Sequence, residues 1–424
     1  MNDIRSIFTV ILLVFILSSC SKGTENQLPN IVFILADDLG TEVLGCYGGT
    51  SYNTPNIDAL AKTGLKFNHC YSAPLCSPSR VKLLTGRYGF RTGQEWGSIP
   101  PDEVTFGHLL KNAGYKTALS GKWQLALLKE DTMHIKKMGF DENSVFGWHE
   151  GPRYYEPFIY ENGKIRKDVK NKYGPDVYSD YLIDFIKRNK NEHFLAYYTM
   201  TLPHAISNDL EDPPPYGKKG RYENYKENVE YADFMVGKVV KALNDLDIRE
   251  KTLIIFSGDN GTPYKYITKY ENSKYINEPV YSKIGDSLVR GGKKFMTDAG
   301  THVPLIANWK GITPTGVINN DLIDFSDFMP TFVELSGGVL PNDRAIDGHS
   351  FAQQIKGEKG DPRKWVYQEW AGKAWIRTRE WKLYEHGDLF DMVNDPLEKH
   401  PIDLENEASK KARNLLSKEL LNLK

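Results

Sequence analysis

The stretch PNIVFILADDLG, Pro29 to Gly40, constrains this chain more than any other. Its apolar run Ile31–Ala36 offers no polar alternate face, so as a strand it must be buried on both sides. Strands of that kind belong to parallel sheets covered by helices. The run stops at two adjacent carboxylates, Asp37 and Asp38. They therefore fall at the carboxyl edge of the sheet, where open α/β folds hold their ligands.

The same alternation continues downstream. TPNIDALAKTGLKF (Thr54–Phe67), TFGHLLKNAGYKTALSGKW (Thr105–Trp123) and YSDYLIDFIKRNKNEHFLAYYTM (Tyr178–Met200) each read as a helix followed by a strand. ENVEYADFMVGKVVKALNDL (Glu227–Leu246) reads as an amphipathic helix with Val229, Phe234, Val236, Val240 and Leu243 on its apolar side. It feeds KTLIIFSGDNG, a strand that ends at Asp259 and Asn260. The expected fold is α/β: a doubly wound, mostly parallel sheet flanked by helices over residues 29–348. Beyond it, WVYQEW, AWIRTREWKLYEH and GDLFDMVNDP read as short antiparallel strands, and Glu407–Leu423 as a closing helix. Residues 349–424 are thus expected to form a small C-terminal α+β subdomain. Glu211–Tyr225 and Tyr264–Arg290 read as irregular loops, the latter at the mouth of a site.

The N-terminus points to export. Ile7–Leu17 is an apolar run behind Arg5, of signal-peptide length and short for a membrane span. LSSC, Leu17–Cys20, resembles a bacterial lipobox, which implies that residues 1–20 are a lipoprotein signal peptide and 21–28 a tether; a plain signal peptide cleaved by the ordinary peptidase is the alternative. Lipid on Cys20 would anchor the chain in the cell envelope, in the periplasm or at the outer-membrane surface. A net charge of −1 leaves no electrostatic footprint for nucleic acid. Cys46 and Cys70 are either a disulfide or two buried thiols.

Four side-chain oxygens from two strand ends, Asp37, Asp38, Asp259 and Asn260, suit a hard divalent cation such as calcium or magnesium; strand-end caps and turns are the plainer reading of each pair alone. Arg80, Lys122 and Lys293 lie on neighbouring loops and fit a sulfate or phosphate ester, though each alone also reads as a surface charge. His204, just after a strand, is placed to protonate a leaving group or simply to brace a loop. Trp148 and His149 read as core, as a plain loop or as a sugar platform. Cys76, in APLCSPSRVKLLTGRY, has no second cysteine at metal-ligand or redox spacing.

CSPSR followed by LLTGRY resembles the signature of the formylglycine-dependent sulfatases of the alkaline-phosphatase superfamily. ADDLG, GKW, PH, FSGDNG, GGKK with GTHVPLIANWKG, and LFDMVNDPLE follow in that family's order, from Pro29 to about Asp403. The resemblance implies that a maturation enzyme oxidises Cys76 to an aldehyde, whose hydrate attacks sulfur with one hydroxyl and releases sulfate with the other. It implies one calcium ion on Asp37, Asp38, Asp259 and Asn260, with residue 76 completing the shell. Arg80 and Lys122 would hold the nucleophile, Lys293 the sulfate oxygens, and His204 the leaving alkoxide. Three departures stand out. Gln124 in GKWQLA replaces a histidine, which puts the aldehyde-regenerating step in question. PHAI lacks the family's second proline. DAGTHVP carries Asp298 and His302 where the family has Glu and Arg, so Gln124 and His302 become candidate substrate contacts. The expectation is a sulfatase acting on a sulfated carbohydrate; a phosphodiester or phosphonate hydrolase and a glycan-binding protein are the alternatives.

Overall fold

Strand β1 (Asn30–Ala36) is wholly buried and divides its side chains between two cores. Ile31, Phe33 and Leu35 enter one, and Val32, Ile34 and Ala36 the other. This is the two-faced burial that an unbroken apolar run demands. In the computed structural model, which describes residues 28–93, 95–205, 224–272, 274–402 and 406–423, helices cover both faces. Cys76–Thr85, Phe106–Asn112 and Phe328–Leu335 contribute to the first core. Pro55–Lys62, Gly174–Arg188 and Tyr225–Asp245 contribute to the second. Cys20 with its signal and tether segments, and most of the expected loop Glu211–Tyr225, lie outside the described residues.

The remaining strands are, in chain order, β2 (Leu65–Tyr71), β3 (Lys116–Gly121), β4 (Glu142–Phe146), β5 (Ile159–Glu161), β6 (Lys164–Ile165), β7 (Phe194–Thr199) and β8 (Thr252–Gly258). They continue with β9 (Lys265–Glu271), β10 (Lys274–Pro279), β11 (Tyr281–Ile284), β12 (Ser287–Arg290), β13 (His302–Trp309) and β14 (Val317–Asp324). The large sheet has ten strands in the order β14-β2-β13-β8-β1-β7-β3-β4-β5-β6. Only β13 and β5 run against the common direction.

Two expectations need correcting. Tyr264–Arg290 is not irregular: it forms the antiparallel hairpins β9–β10 and β11–β12. Phe234 is 55% exposed, and the buried face of its helix is Val229, Ala232, Met235, Val236, Val239 and Leu243. At about 100° per residue, Phe234 lies some 140° around the helix from Val229, outside the apolar arc. Cys46 and Cys70 are both free thiols. No helix among the described residues is long and apolar enough to cross a membrane.

The C-terminal sheet is antiparallel, from β15 (Val366–Trp370) through β16 (Lys373–Arg377) and β17 (Trp381–Tyr384) to β18 (Leu389–Asp391). Leu416 of the helix Glu407–Leu423 packs with Ile376, Leu383 and Leu389 of this sheet. Buried polar contacts fasten it to the large-sheet unit: Lys82 Nζ donates to the Tyr367 carbonyl at 2.8 Å and to Gln368 Oε1 at 3.0 Å, and Arg377 and Lys382 pair with Asp298 at 2.6 and 3.2 Å. Phe351, Ala352 and Ile355 still belong to the core of the large sheet.

Phe33 stacks on Tyr197 with ring centres 5.0 Å apart and touches Phe328 and Phe332 on the helix above. Phe33→Ala is expected to cost about 3–5 kcal/mol in denaturant unfolding, the range for emptying a buried aromatic site. Phe234→Ser is expected to stay within about 0.5 kcal/mol.

Candidate active site

The parallel pairing of β1 with β8 aligns Ala36 with Gly258, so the next residues of both strands emerge side by side. These are Asp37–Asp38 and Asp259–Asn260. Asp38 adopts a left-handed backbone, φ +66°, at a cost of about 1 kcal/mol. Its neighbours pin it there: its N–H donates to Asp259 Oδ1 at 3.1 Å, and its carbonyl accepts from the Tyr225 hydroxyl at 2.8 Å. Lys122 follows directly on β3, and His204 comes five residues after β7. Cys76 opens the helix that follows β2, and Arg80 lies one turn along it. Every one of these residues leaves the carboxyl edge of the sheet.

The charges interlock. Lys122 Nζ donates to both Asp37 oxygens at 2.7 Å. Arg80 Nε donates to Asp259 Oδ2 at 3.0 Å, and Nη1 to the Lys122 carbonyl at 3.0 Å. Lys293 Nζ lies 2.6 Å from Asp38 Oδ2, and His204 Nε2 lies 3.8 Å from the same oxygen. The Cys76 thiol points to Gln124 Oε1 at 3.7 Å, and Gln124 itself sits at φ +55°. His204 and Lys293 are the least buried of the group, at 20% and 12% of their side chains, and so form its mouth.

Arg153 is the member that sequence reasoning missed. Its guanidinium lies 3.8 Å from Asp37 and 3.2 Å from His204 Nδ1, and rests on the Phe146 ring. It stands alone in a Gly/Pro-flanked loop, and no spacing in the sequence marks it. With it, four fixed cations surround three carboxylates in a buried pocket, an excess that favours an anionic ligand.

Burial alone would raise the Asp37 carboxyl, but Lys122, with His204, Arg80 and Lys293, outweighs it and holds Asp37 well below the usual carboxylate range. Burial and the Asp37 charge push Asp259 up, so Asp259 is the one that takes the proton. Burial, reinforced by Lys293, pushes His204 down to about 3 against the pull of Asp37 and Asp38. Its Nδ1 lies 2.7 Å from the Ala205 carbonyl, and donation there turns a bare Nε2 toward Asp38. Burial raises the Cys76 thiol as well.

The donor set fits a hard divalent cation. Ligand atoms of Asp37, Cys76 and Asp259 all lie within 4.8 Å of one another. Asn260 donates to Asp38 Oδ1 at 2.9 Å, while its own Oδ1 is buried with no hydrogen-bond partner. An acceptor stranded among carboxylates is the mark of a cation site.

His302 is not brought into this cluster. β13 runs antiparallel, so its first residue pairs with Tyr71 of β2. There His302 stacks on Tyr71 at 5.1 Å, and its Nε2 meets the Asn68 carbonyl at 2.7 Å. Asp298 serves the ion pairs to the C-terminal sheet instead. Trp148 is 9% exposed and packs against Gly97, where a Cβ would come within 2.1 Å of its ring, so it belongs to the core. His149 beside it is exposed.

The family model described as Sulfatase matches residues 29–339, and one described as N-sulphoglucosamine sulphohydrolase, C-terminal, matches 291–424. The N-acetylgalactosamine-6-sulfatase of Sus scrofa is 34% identical over 426 residues, covering 88% of this chain and 77% of that protein. Arylsulfatase D of Homo sapiens is 26% identical over 490 residues, covering 93% and 80%. The crystal structure of Ps i-CgsB in complex with k-i-k-neocarrahexaose superposes with a TM-score of 0.73 at 27% identity, over 94% of this chain and 93% of that one.

A metal at this site must displace the proton from Asp259. The raised pKa of Asp259 means that its protonated form gains ground as pH falls toward the neutral-to-acid range, so metal binding weakens in that direction. Calorimetric titration with calcium is expected to give one ion per chain, with affinity falling by up to about tenfold per unit as pH drops from about 7 to about 5. An affinity that stays flat across that range would remove Asp259 from the ligand set.

Proposed function

This chain belongs to the sulfatase family and is a sulfuric ester hydrolase; we propose that its substrate is a sulfated carbohydrate and that Cys76, matured to formylglycine, works beside one calcium ion. The observation that carries this reading is the Cys76 thiol, set among the Asp37 and Asp259 carboxylates inside a shell of excess positive charge. A sulfur acid ester brings the missing negative charge. The carbohydrate preference is supported by the N-acetylgalactosamine-6-sulfatase similarity and by the oligosaccharide-bound structural relative.

Asp37, Asp38, Asp259 and Asn260 Oδ1 would hold the calcium ion with residue 76, and the ion supplies Lewis-acid charge that polarises the ester and acidifies the nucleophile. Formylglycine hydrate supplies two hydroxyls on one carbon, one for attack and one for releasing sulfate. Lys122 and Arg80 fix the carboxylates around that carbon through bonds of 2.7 to 3.0 Å. Lys293, on Asp38, and Arg153, beside Asp37 and His204, are the donors this reading assigns to the sulfate oxygens. The arriving anion raises the affinity of His204 Nε2 for a proton, which it passes to the departing sugar oxygen. Gln124 Oε1 accepts a hydrogen bond from the nucleophile where a histidine would also exchange the proton. Cys76 is only 2% exposed, so the maturation enzyme must reach it before the chain folds. Lipid on Cys20 would hold the exported protein at the cell envelope; Cys20→Ala is then expected to move it from the membrane fraction to the soluble one, and unchanged fractionation would refute the anchor.

The test is sulfate release, with a maturation enzyme co-expressed, from a panel that includes N-acetylgalactosamine 6-sulfate, glucosamine 6-sulfate, an aryl sulfate and a matched phosphodiester. Release from at least one sugar sulfate is expected, faster than from the other two classes. Cys76→Ala should lower it at least about a thousandfold. Gln124→Leu, which strands the buried nucleophile's hydrogen, should lower kcat about ten- to hundredfold, the worth of roughly 1–3 kcal/mol. Sulfate release that survives Cys76→Ala, or a preference for the phosphodiester, would overturn the reading.

A further inference from the structure

We infer that the rim of the cleft beside Lys293 is a second subsite, which takes an acidic sugar next to the one that loses its sulfate. This rests on the carbohydrate sulfatase reading and adds to it: the substrate is an oligosaccharide with a second anionic group, a carboxylate or a sulfate, on the neighbouring ring.

Two segments build the rim, and both come straight from the reaction centre. One continues from Asn260 to Tyr264 and Lys265; the other runs from Lys293 to Phe295. They are locked together, since Lys293 N–H donates to the Thr262 carbonyl at 2.9 Å, and a Cβ on Gly291 would meet the Pro263 oxygen at 2.1 Å. Lys294 N–H donates to the carbonyl of Pro74, two residues before Cys76, at 2.9 Å. The two adjacent lysines then part company. Lys293 turns inward to Asp38, while Lys294, at φ +81°, is held exposed at the surface. A side chain costs energy in that left-handed conformation and glycine does not, so strain is stored in a lysine at the edge of a catalytic pocket.

What the rim presents is equally specific. Phe295 is 52% exposed and meets the Tyr264 ring edge to face at 5.8 Å. Lys265 Nζ and Lys294 Nζ lie 6.0 and 5.9 Å from the centre of that ring. Neither lysine has an acidic partner among the described residues. The exposed Phe295 ring suits the C–H side of a pyranose, and the two ammonium groups held over Tyr264, neither paired with a carboxylate among the described residues, suit an anion on that sugar. A sugar whose sulfate sits on Lys293 would have its neighbour along this edge.

The experiment compares four substrates: N-acetylgalactosamine 6-sulfate alone, and the same sugar joined to glucuronate, to the carboxyl-reduced neutral ring, or to a sulfated hexose. An acidic neighbour is expected to lower KM about tenfold against the monosaccharide, and the neutral ring to have little effect. Which acidic neighbour gives the larger drop tells carboxylate from sulfate. The double variant Lys265→Gln with Lys294→Asn, asparagine being at ease in the left-handed region, should erase that gain while kcat/KM on the monosaccharide stays within about twofold. Equal KM values across the four, or a gain that survives the double variant, would overturn the subsite. If the wild-type enzyme releases sulfate from none of them, the sulfatase reading on this sugar fails separately. Calorimetry on the Cys76→Ala protein then still decides the rim: tighter binding of the glucuronate disaccharide than of its neutral counterpart, lost on removing both lysines, supports it, and equal or absent binding refutes it.

Discussion

Three carboxylates forced together out of water are what the rest of this structure answers to. The register of β1 on β8 leaves no choice about where Asp37, Asp38 and Asp259 emerge. At separations near 4 Å, like charges in such surroundings repel by roughly 4 kcal/mol each way. The fold meets this with Lys122, Arg80, Lys293 and Arg153, each delivered by a different segment. A carboxyl edge gathered from β1, β3, β7, β8 and the helix after β2 can hold a divalent ion because it already holds the counter-charges that keep the metal-free chain folded. The same cations are in position when an anionic ester arrives. Removing one partner of such a pair leaves the other charge buried and alone, which is the costlier event.

The sequence revealed the parts of this that repeat or stop abruptly. Unbroken apolar runs ending in acidic pairs announced β1 and β8 and the edge they share. The helix–strand alternation between Thr54 and Met200 announced the flanking layers. The parts that stayed hidden depend on tertiary direction. His302 reads as a pocket residue because it stands where the resembled family has an arginine; the antiparallel course of β13 places it beside Tyr71 of β2 instead. Arg153 is a lone cation in a loop, and only the fold brings it to His204. The β11–β12 hairpin reads as loop because its strands are only four residues long and largely exposed, with no core-facing period to betray them. Phe234 reads as inward on hydrophobicity, whereas its angle on the helix faces it outward.

Gln124 gives the site a character of its own. It sits in a left-handed turn against the nucleophile and offers an acceptor that does not titrate. Among the described residues, His204 is then the one imidazole in contact with the carboxylate cluster, and burial keeps it neutral until negative charge arrives. In the proposed mechanism proton handling is thereby tied to substrate binding, and the proposed rim at Tyr264–Phe295, next to Lys293, takes part in the choice among substrates.

The central claim is that residue 76 takes the sulfate covalently. A serine at this position has one hydroxyl with which to attack and no second one with which to release. The most direct measurement is therefore mass spectrometry of the Cys76→Ser protein after incubation with a sulfate ester that the wild-type enzyme cleaves. A peptide carrying a stable sulfate ester at position 76 is the predicted result. A fully unmodified peptide, with the ester still bound and cut elsewhere or not at all, would contradict the account.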